Sequence, residues 1–354
     1  MTWSFPLGRI LGSEVRVHGT FLFLIAWIAV TAFSTGGVAG AVVNVVFILA
    51  LFACVVAHEF GHALMARRFG IRTPDITLLP IGGLARLERM PDRPGQEIAV
   101  ALAGPLVNVV IAGALFLVGV RPGFAMLGDA SGIGAILAGL LSVNVILVLF
   151  NMIPAFPMDG GRVLRGALSI FLPRLKATRV AVRVGQGFAI LFAAYGFYTG
   201  SFMLPLIAVF IFFAGNAELG EMAARARVAD LSVGDAMVSD FTHLSPDAPL
   251  AAAAELSETG DQDIFPVIGS DGRLHGFVTR DCLHEAPRQG DPTPRVRDII
   301  GAAPRTLPIS RGADALFDVL SDAPAIGVTG PSGRVVGFVT QAQAMALLRR
   351  RRAR

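Results

Sequence analysis

Two histidines and a glutamate within one helical turn, and a carboxylate far along the chain, have the types and spacing to do chemistry. His58-Glu59-Phe60-Gly61-His62 places the histidines at i and i+4. On a helix their rings share one face and can hold one Zn²⁺ at about 2 Å from each nitrogen. Coordination brings the pKa of water toward neutrality, and a carboxylate within reach, here Glu59, accepts its proton as general base, a combination that cleaves amides. The same trio can arise as an incidental polar patch at a helix end. The apolar run over residues 42–57 argues against that, because ionisable side chains at membrane depth are costly and by default functional.

A catalytic zinc needs a third protein ligand and an open position. Residues 151–161 read Asn-Met-Ile-Pro-Ala-Phe-Pro-Met-Asp-Gly-Gly, two prolines, two glycines and one carboxylate where an apolar helix should end. Irregular backbone at membrane depth is tolerated only against protein or a water-filled cavity. Alone, the segment reads as a turn with a solvated carboxylate; beside the paired histidines, Asp159 is the expected third ligand. Cys54, one turn before His58, reads as a small buried residue. His18, His243, His275 and His284 have no metal-like partner spacing.

The elements that must position these groups follow from composition. Of 354 residues 54% are hydrophobic and only 16% charged, with mean hydropathy +0.65, so much of the chain lives in lipid. A span needs about 20 apolar residues, and six segments come near that: 20–33, 41–66, 98–120, 133–153, 184–199 and 202–217. Arg9 and Arg16 precede the first; Arg67, Arg68, Arg72, Arg86, Arg89 and Arg93 follow the second; Arg162, Arg165, Arg174, Lys176, Arg179 and Arg183 follow the fourth. The alternate connections, 34–40, 121–132 and 200–201, hold Arg121 as their one basic residue, so both termini are expected in the cytoplasm of a multi-pass protein of the cell membrane. Residues 1–19 do not read as a cleaved signal peptide. Cys54 and Cys282 define no disulfide framework. The arginines lie between spans, without a basic patch studded with aromatics, so nucleic acid is not an expected partner. Residues 75–87, with Gly82-Gly83 between apolar runs, read as a hairpin whose edge can receive a substrate strand or as a plain connector.

The helix-borne HExxH, Gly104-Pro105 with Asn108 in the third span, and Asn151, Pro154, Asp159 and Gly160 after the fourth together resemble the site-2 protease family of intramembrane metalloproteases, over residues 7–217. The resemblance implies zinc bound by His58, His62 and Asp159, Glu59 as catalytic base, and Asn151 positioning the reacting carbonyl. Asn108 otherwise reads as polar glue between membrane helices.

From about residue 230 the chain becomes charged and Pro-punctuated. Residues 231–237 parallel 295–300, and Gly276-Phe-Val-Thr279 recurs as Gly337-Phe-Val-Thr340. This paired repeat is similar to tandem CBS domains, which associate as pairs and often bind adenine nucleotides. That family's nucleotide-binding copies carry an Asp three residues after the Thr; here Cys282 and Gln343 stand there and Asp281 is one place early, so a dimerisation or substrate-recruiting module is at least as good a reading as a nucleotide sensor. The arginines at 349–352 and Arg354 read as a solvated tail that can touch anionic lipid.

The expected architecture is a polytopic α-helical membrane protein of about six spans (1–217), a linker (218–230) and a C-terminal α/β tandem CBS pair (231–354, repeats at 231–290 and 294–348). The expected function is intramembrane zinc endopeptidase, one Zn²⁺ per chain, acting on membrane-anchored proteins, with the CBS pair modulating activity and mediating a homodimer. A CBS-regulated transporter or channel is the alternative, since polar groups inside spans also mark ion pathways; a transport site has no need of Glu59 as a base. A silent scaffold would have lost a ligand, and none is lost.

Overall fold

The computed structural model describes residues 3–352 except 81, 89, 92, 124–131, 286–293, 302–303 and 321–322. The expected connection at 121–132 and the basic residues Arg89 and Arg354 fall wholly or partly outside the described residues. The chain divides into two units, Met1–Gly220 and Glu221–Arg354.

In the first unit, period-two alternation builds strands ahead of the first span. β1 (Ser4–Ile10) pairs antiparallel with β2 (Ser13–His18), and β2 turns Ser13, Val15 and Val17 inward. β2 runs parallel to β3 (Asp75–Leu79), which pairs antiparallel with β4 (Gly82–Arg86), giving the order β1-β2-β3-β4. The segment from 75 is therefore a hairpin, joined to a second hairpin, β1–β2, within the residues that do not read as a signal peptide.

Between β2 and β3 lies α1 (Gly19–Arg68). Straight, 50 helical residues would run about 75 Å. At Gly37 the backbone leaves the helical region (φ 62°, ψ −155°), a conformation open to glycine, and the chain doubles back. Phe21 and Phe52 stack edge to face with ring centroids 4.4 Å apart, and with Val17 and Leu78 they form one buried cluster. The expected first and second spans are thus the two arms of this bent helix. The other spans are α2 (Pro94–Leu117), α3 (Ile133–Asn151), α5 (Arg174–Thr199) and α6 (Met203–Arg227), with the short α4 (Asp159–Ser169) between α3 and α5. Among the described residues five helices, α1 included, are long and apolar enough to cross a membrane. The last two spans, short as apolar runs, are longer as helices: α5 carries the basic stretch from Arg174 as its first turns, because Ala177, Thr178 and Ala181 give that stretch a buried face. Large apolar side chains such as Trp27, Leu117 and Phe213 stay exposed, as lipid-facing positions require.

Arg165 is the largest fully buried side chain. Its Nε donates to Glu97 Oε1 at 2.6 Å, its Nη1 donates to Glu218 Oε1, and its guanidinium lies 4.9 Å from the Phe156 ring centroid. Arg174 Nη2 is 3.5 Å from Glu97 Oε2. The network ties α2, α4, α5 and α6 together, so the charge of Arg165 is met inside the protein.

The second unit contains α7 (Leu250–Ser257), β5 (Ile264–Ile268), β6 (Leu274–Thr279) and α8 (Arg280–Glu285), followed by β7 (Thr306–Pro308), α9 (Ala315–Val319), β8 (Ala325–Thr329), β9 (Val335–Thr340) and α10 (Gln341–Arg352). Each half has a helix, an antiparallel strand pair and a helix that follows the Gly-Phe-Val-Thr strand. Leu244 bridges Val267 in parallel, as β7 pairs β8. Each half is preceded by a short 3₁₀ turn in which an aspartate accepts from the backbone N–H three residues earlier, Asp235 from Ser232 at 2.8 Å and Asp298 from Arg295 at 2.9 Å. These turns are exchanged. Val233 and Ala236 pack with Ile326, Val328 and Val339 of the later half, and Val296 packs with Phe265, Val267 and Val278 of the earlier one.

Candidate metal centre

The last turns of α1 bring His58, Glu59 and His62 to the start of α4. Both histidines are buried, and α2 lies hard against them: a Cβ added at Gly104 would collide with His62 Nε2 and sit 2.8 Å from His58 Nε2. Asp159 opens α4 after the Pro-rich turn that ends α3; Ala155 and Phe156 anchor that turn by being almost fully buried.

Asp159 Oδ2 is 3.3 Å from His58 Nε2 and 3.2 Å from His62 Nε2, and the two Nε2 atoms are 3.0 Å apart. His62 Nδ1 faces the Val100 carbonyl at 2.7 Å, a pure acceptor, so Nδ1 carries the proton and Nε2 is a bare lone pair. His58 is set by a longer chain. Asn144 Nδ2 donates to the Leu140 carbonyl at 2.8 Å, which turns Asn144 Oδ1 toward Asn108; Asn108 Nδ2 donates to it at 2.7 Å, leaving Asn108 Oδ1, 2.5 Å away, to accept from His58 Nδ1. Two imidazole Nε2 atoms and one carboxylate oxygen therefore converge on one point, and with Nδ1 as the donor of each ring this is an arrangement that a bound cation satisfies. Ligands about 2.0–2.1 Å from a tetrahedral ion lie about 3.3 Å from one another, so the triangle fits zinc. Among the described residues this is the one group of three or more such side chains placed to hold a metal.

Glu59 and Asn151 line a cleft of about 330 Å³ beside the triangle, with His58, His62 and Asp159 on its wall. β4 closes over it: a Cβ at Gly83 would lie 2.6 Å from Glu59 Cγ. Arg162, 3.9 Å from Asp159 Oδ1, lines it too. All five expected site residues thus meet in one place. Cys54 and the other histidines stay apart: His18 Nδ1 bonds Thr20, His243 packs edge-on to Phe241, and His284 lies 3.4 Å from the Ser257 hydroxyl. Sequence reasoning undervalued Asn108 and passed over Asn144, although an amide inside an apolar span needs a partner. The Val100 carbonyl carries no sequence signal.

Known proteins resemble this chain in both units. The profile of Peptidase family M50 matches residues 46–129 and 125–193, and that of the CBS domain residues 233–287. A zinc metalloprotease of Methanocaldococcus jannaschii is 30% identical over 286 residues, 80% of either chain. A Synechocystis relative is 32% identical over 330 residues, 87% of this chain and 83% of its own. Of solved structures, the site-2 protease from Methanocaldococcus jannaschii superposes with a TM-score of 0.45 at 32% identity, covering 61% of this chain and 95% of that one.

Proposed function

Since the chain belongs to peptidase family M50 and is a membrane zinc metalloprotease, we propose that His58, His62 and Asp159 hold its zinc, with Glu59 as general base and Asn151 positioning the substrate carbonyl. The observation that carries this reading is the triangle of two imidazole nitrogens and one carboxylate oxygen with Glu59 beside it. Zinc held there would supply Lewis acidity to water and carbonyl. Glu59 takes the proton of the attacking water and returns it to the leaving amine. Asn144 and Asn108 keep the His58 proton on Nδ1, and Val100 does the same for His62.

Substrates in this reading are membrane-anchored proteins, held as an extended strand against the free edge of β4 at the cleft. Pairing there keeps the scissile amide out of a helix, where attack is blocked. The arginines after the second and fourth spans support cytoplasmic termini. We read the C-terminal pair as a regulatory module that also joins two copies of the chain. Thr340 donates to Gln343 Oε1, and the Cys282 N–H to Thr279 Oγ1 at 3.3 Å; neither position offers a carboxylate to ribose hydroxyls, so dimerisation is favoured over adenine nucleotide.

The test is zinc content and cleavage of a single-span substrate by the purified protein. Wild type cleaves; Glu59→Gln keeps zinc and loses activity by about 10²–10⁴-fold; Asp159→Ala loses the metal. A wild type purified without chelators that holds no zinc would favour the transporter reading.

A further inference from the structure

A second cavity, of about 440 Å³, lies where the β1–β2 turn, the last two turns of α1 and the start of β3 meet. Its chemistry is unlike that of the metal centre. Arg9, Arg67 and Arg72 line it, from three separate elements, and among the described residues none of them has an ion pair. Arg67 Nη1 donates to the Leu11 carbonyl at 3.0 Å, which brings its guanidinium to the turn formed by Leu11 (φ 50°) and Gly12 (φ 90°). Among the described residues Glu88 is the one carboxylate on the lining.

Thr73, also on the lining, is an independent observation. It is 6% exposed, and its Oγ1 has no hydrogen-bond partner. Its carbonyl helps hold the wall, accepting from the Ser13 hydroxyl at 2.6 Å. A buried hydroxyl without a partner is costly, and here it belongs to a pocket with three guanidinium groups that have no ion pair among the described residues. An anion with several acceptor oxygens meets both needs.

The surroundings identify the source of that anion. Phe60 and Leu64, on the final turns of a membrane span, line the same cavity, and Leu11, Ile10 and Leu64 are exposed around it. A site with arginines at the end of a span and an apolar rim lies where a lipid phosphate sits above its acyl chains. We propose that this cavity binds the headgroup phosphate of an anionic phospholipid through Arg9, Arg67, Arg72 and the Thr73 hydroxyl. One bound lipid then clamps β1–β2 and β3 to α1, the helix that carries His58, Glu59 and His62.

The experiment is native mass spectrometry of the whole protein released from nanodiscs of phosphatidylcholine containing 30% phosphatidylglycerol, with zinc content measured alongside to show that variants are folded. Wild type is expected to retain phosphatidylglycerol selectively. Arg9→Gln with Arg72→Gln should lower its retention about 25-fold, from about fivefold per arginine, and Thr73→Val should weaken it with zinc unchanged. Equal retention of the two lipids, or selectivity that survives in zinc-loaded Arg9→Gln/Arg72→Gln protein, would overturn the proposal. Inorganic phosphate that stabilises lipid-free protein, with no lipid preference, would assign the cavity to a soluble anion and reject the headgroup.

Discussion

In the proposed centre Asn108 works at one remove from the metal: it accepts a hydrogen bond from His58 Nδ1 at 2.5 Å and takes its own orientation from Asn144. Replacing it with leucine lets His58 choose its tautomer and rotate. Zinc affinity should fall about 10–100-fold, measured by competition with a chromogenic chelator; a merely structural Asn108 would lower the melting temperature and leave that affinity unchanged. Gly104→Ala puts a methyl against both Nε2 atoms, and metal analysis should find zinc occupancy reduced more than tenfold in protein that still folds. At this scale the meeting of His58, His62 and Asp159 was legible, because i and i+4 histidines and a carboxylate in a broken helix are statements about side-chain type. What orients them was not. The Val100 carbonyl belongs to the backbone, and whether Asn108 bonds a histidine or another helix depends on a meeting of α1, α2 and α3 that a linear pattern does not encode.

Among elements, α4 bears the heaviest constraint, since its first residue is Asp159 and its seventh, Arg165, is fully buried between Glu97 and Glu218. Removing one partner of a buried ion pair leaves the other charge stranded, so Arg165→Met should cost about 3–5 kcal/mol, read as a lowered unfolding midpoint in detergent. Neutralising Arg16, which pairs with Glu14 at 3.8 Å in partial solvent, should cost under about 1 kcal/mol by the same measurement. The helices were readable from hydropathy. The β1–β2 hairpin was present as the alternation through Val15 and Val17 but hidden by its brevity, because such a strand becomes stable only by pairing with β3, far along the chain. The partners of Arg165 were hidden for a related reason: an arginine near a span end reads as a topology signal, and the carboxylates that meet it come from α2 and α6, far apart along the chain.

In the molecule as a whole, the exchanged turns of the C-terminal unit set its cooperativity. Val233 precedes the first half yet is buried in the core of the second. Val233→Ala should therefore loosen β8 and β9 and spare β5 and β6. A cost of about 2 kcal/mol corresponds to amide exchange about 30-fold faster in the affected strands, measured on the intact protein. The repeat was visible in the recurring Gly-Phe-Val-Thr, and the exchange was not, since Leu231–Met237 matches its counterpart equally well whichever core it enters. The same arrangement governs synthesis. Val233 and Ala236 leave the ribosome with their burial partners Ile326, Val339 and Leu347 still untranslated, a wait on the order of ten seconds at 5–20 residues per second. A chain cut short before β8 keeps that greasy segment bare, and so carries its own signal to quality-control proteases even when every membrane helix is already in place.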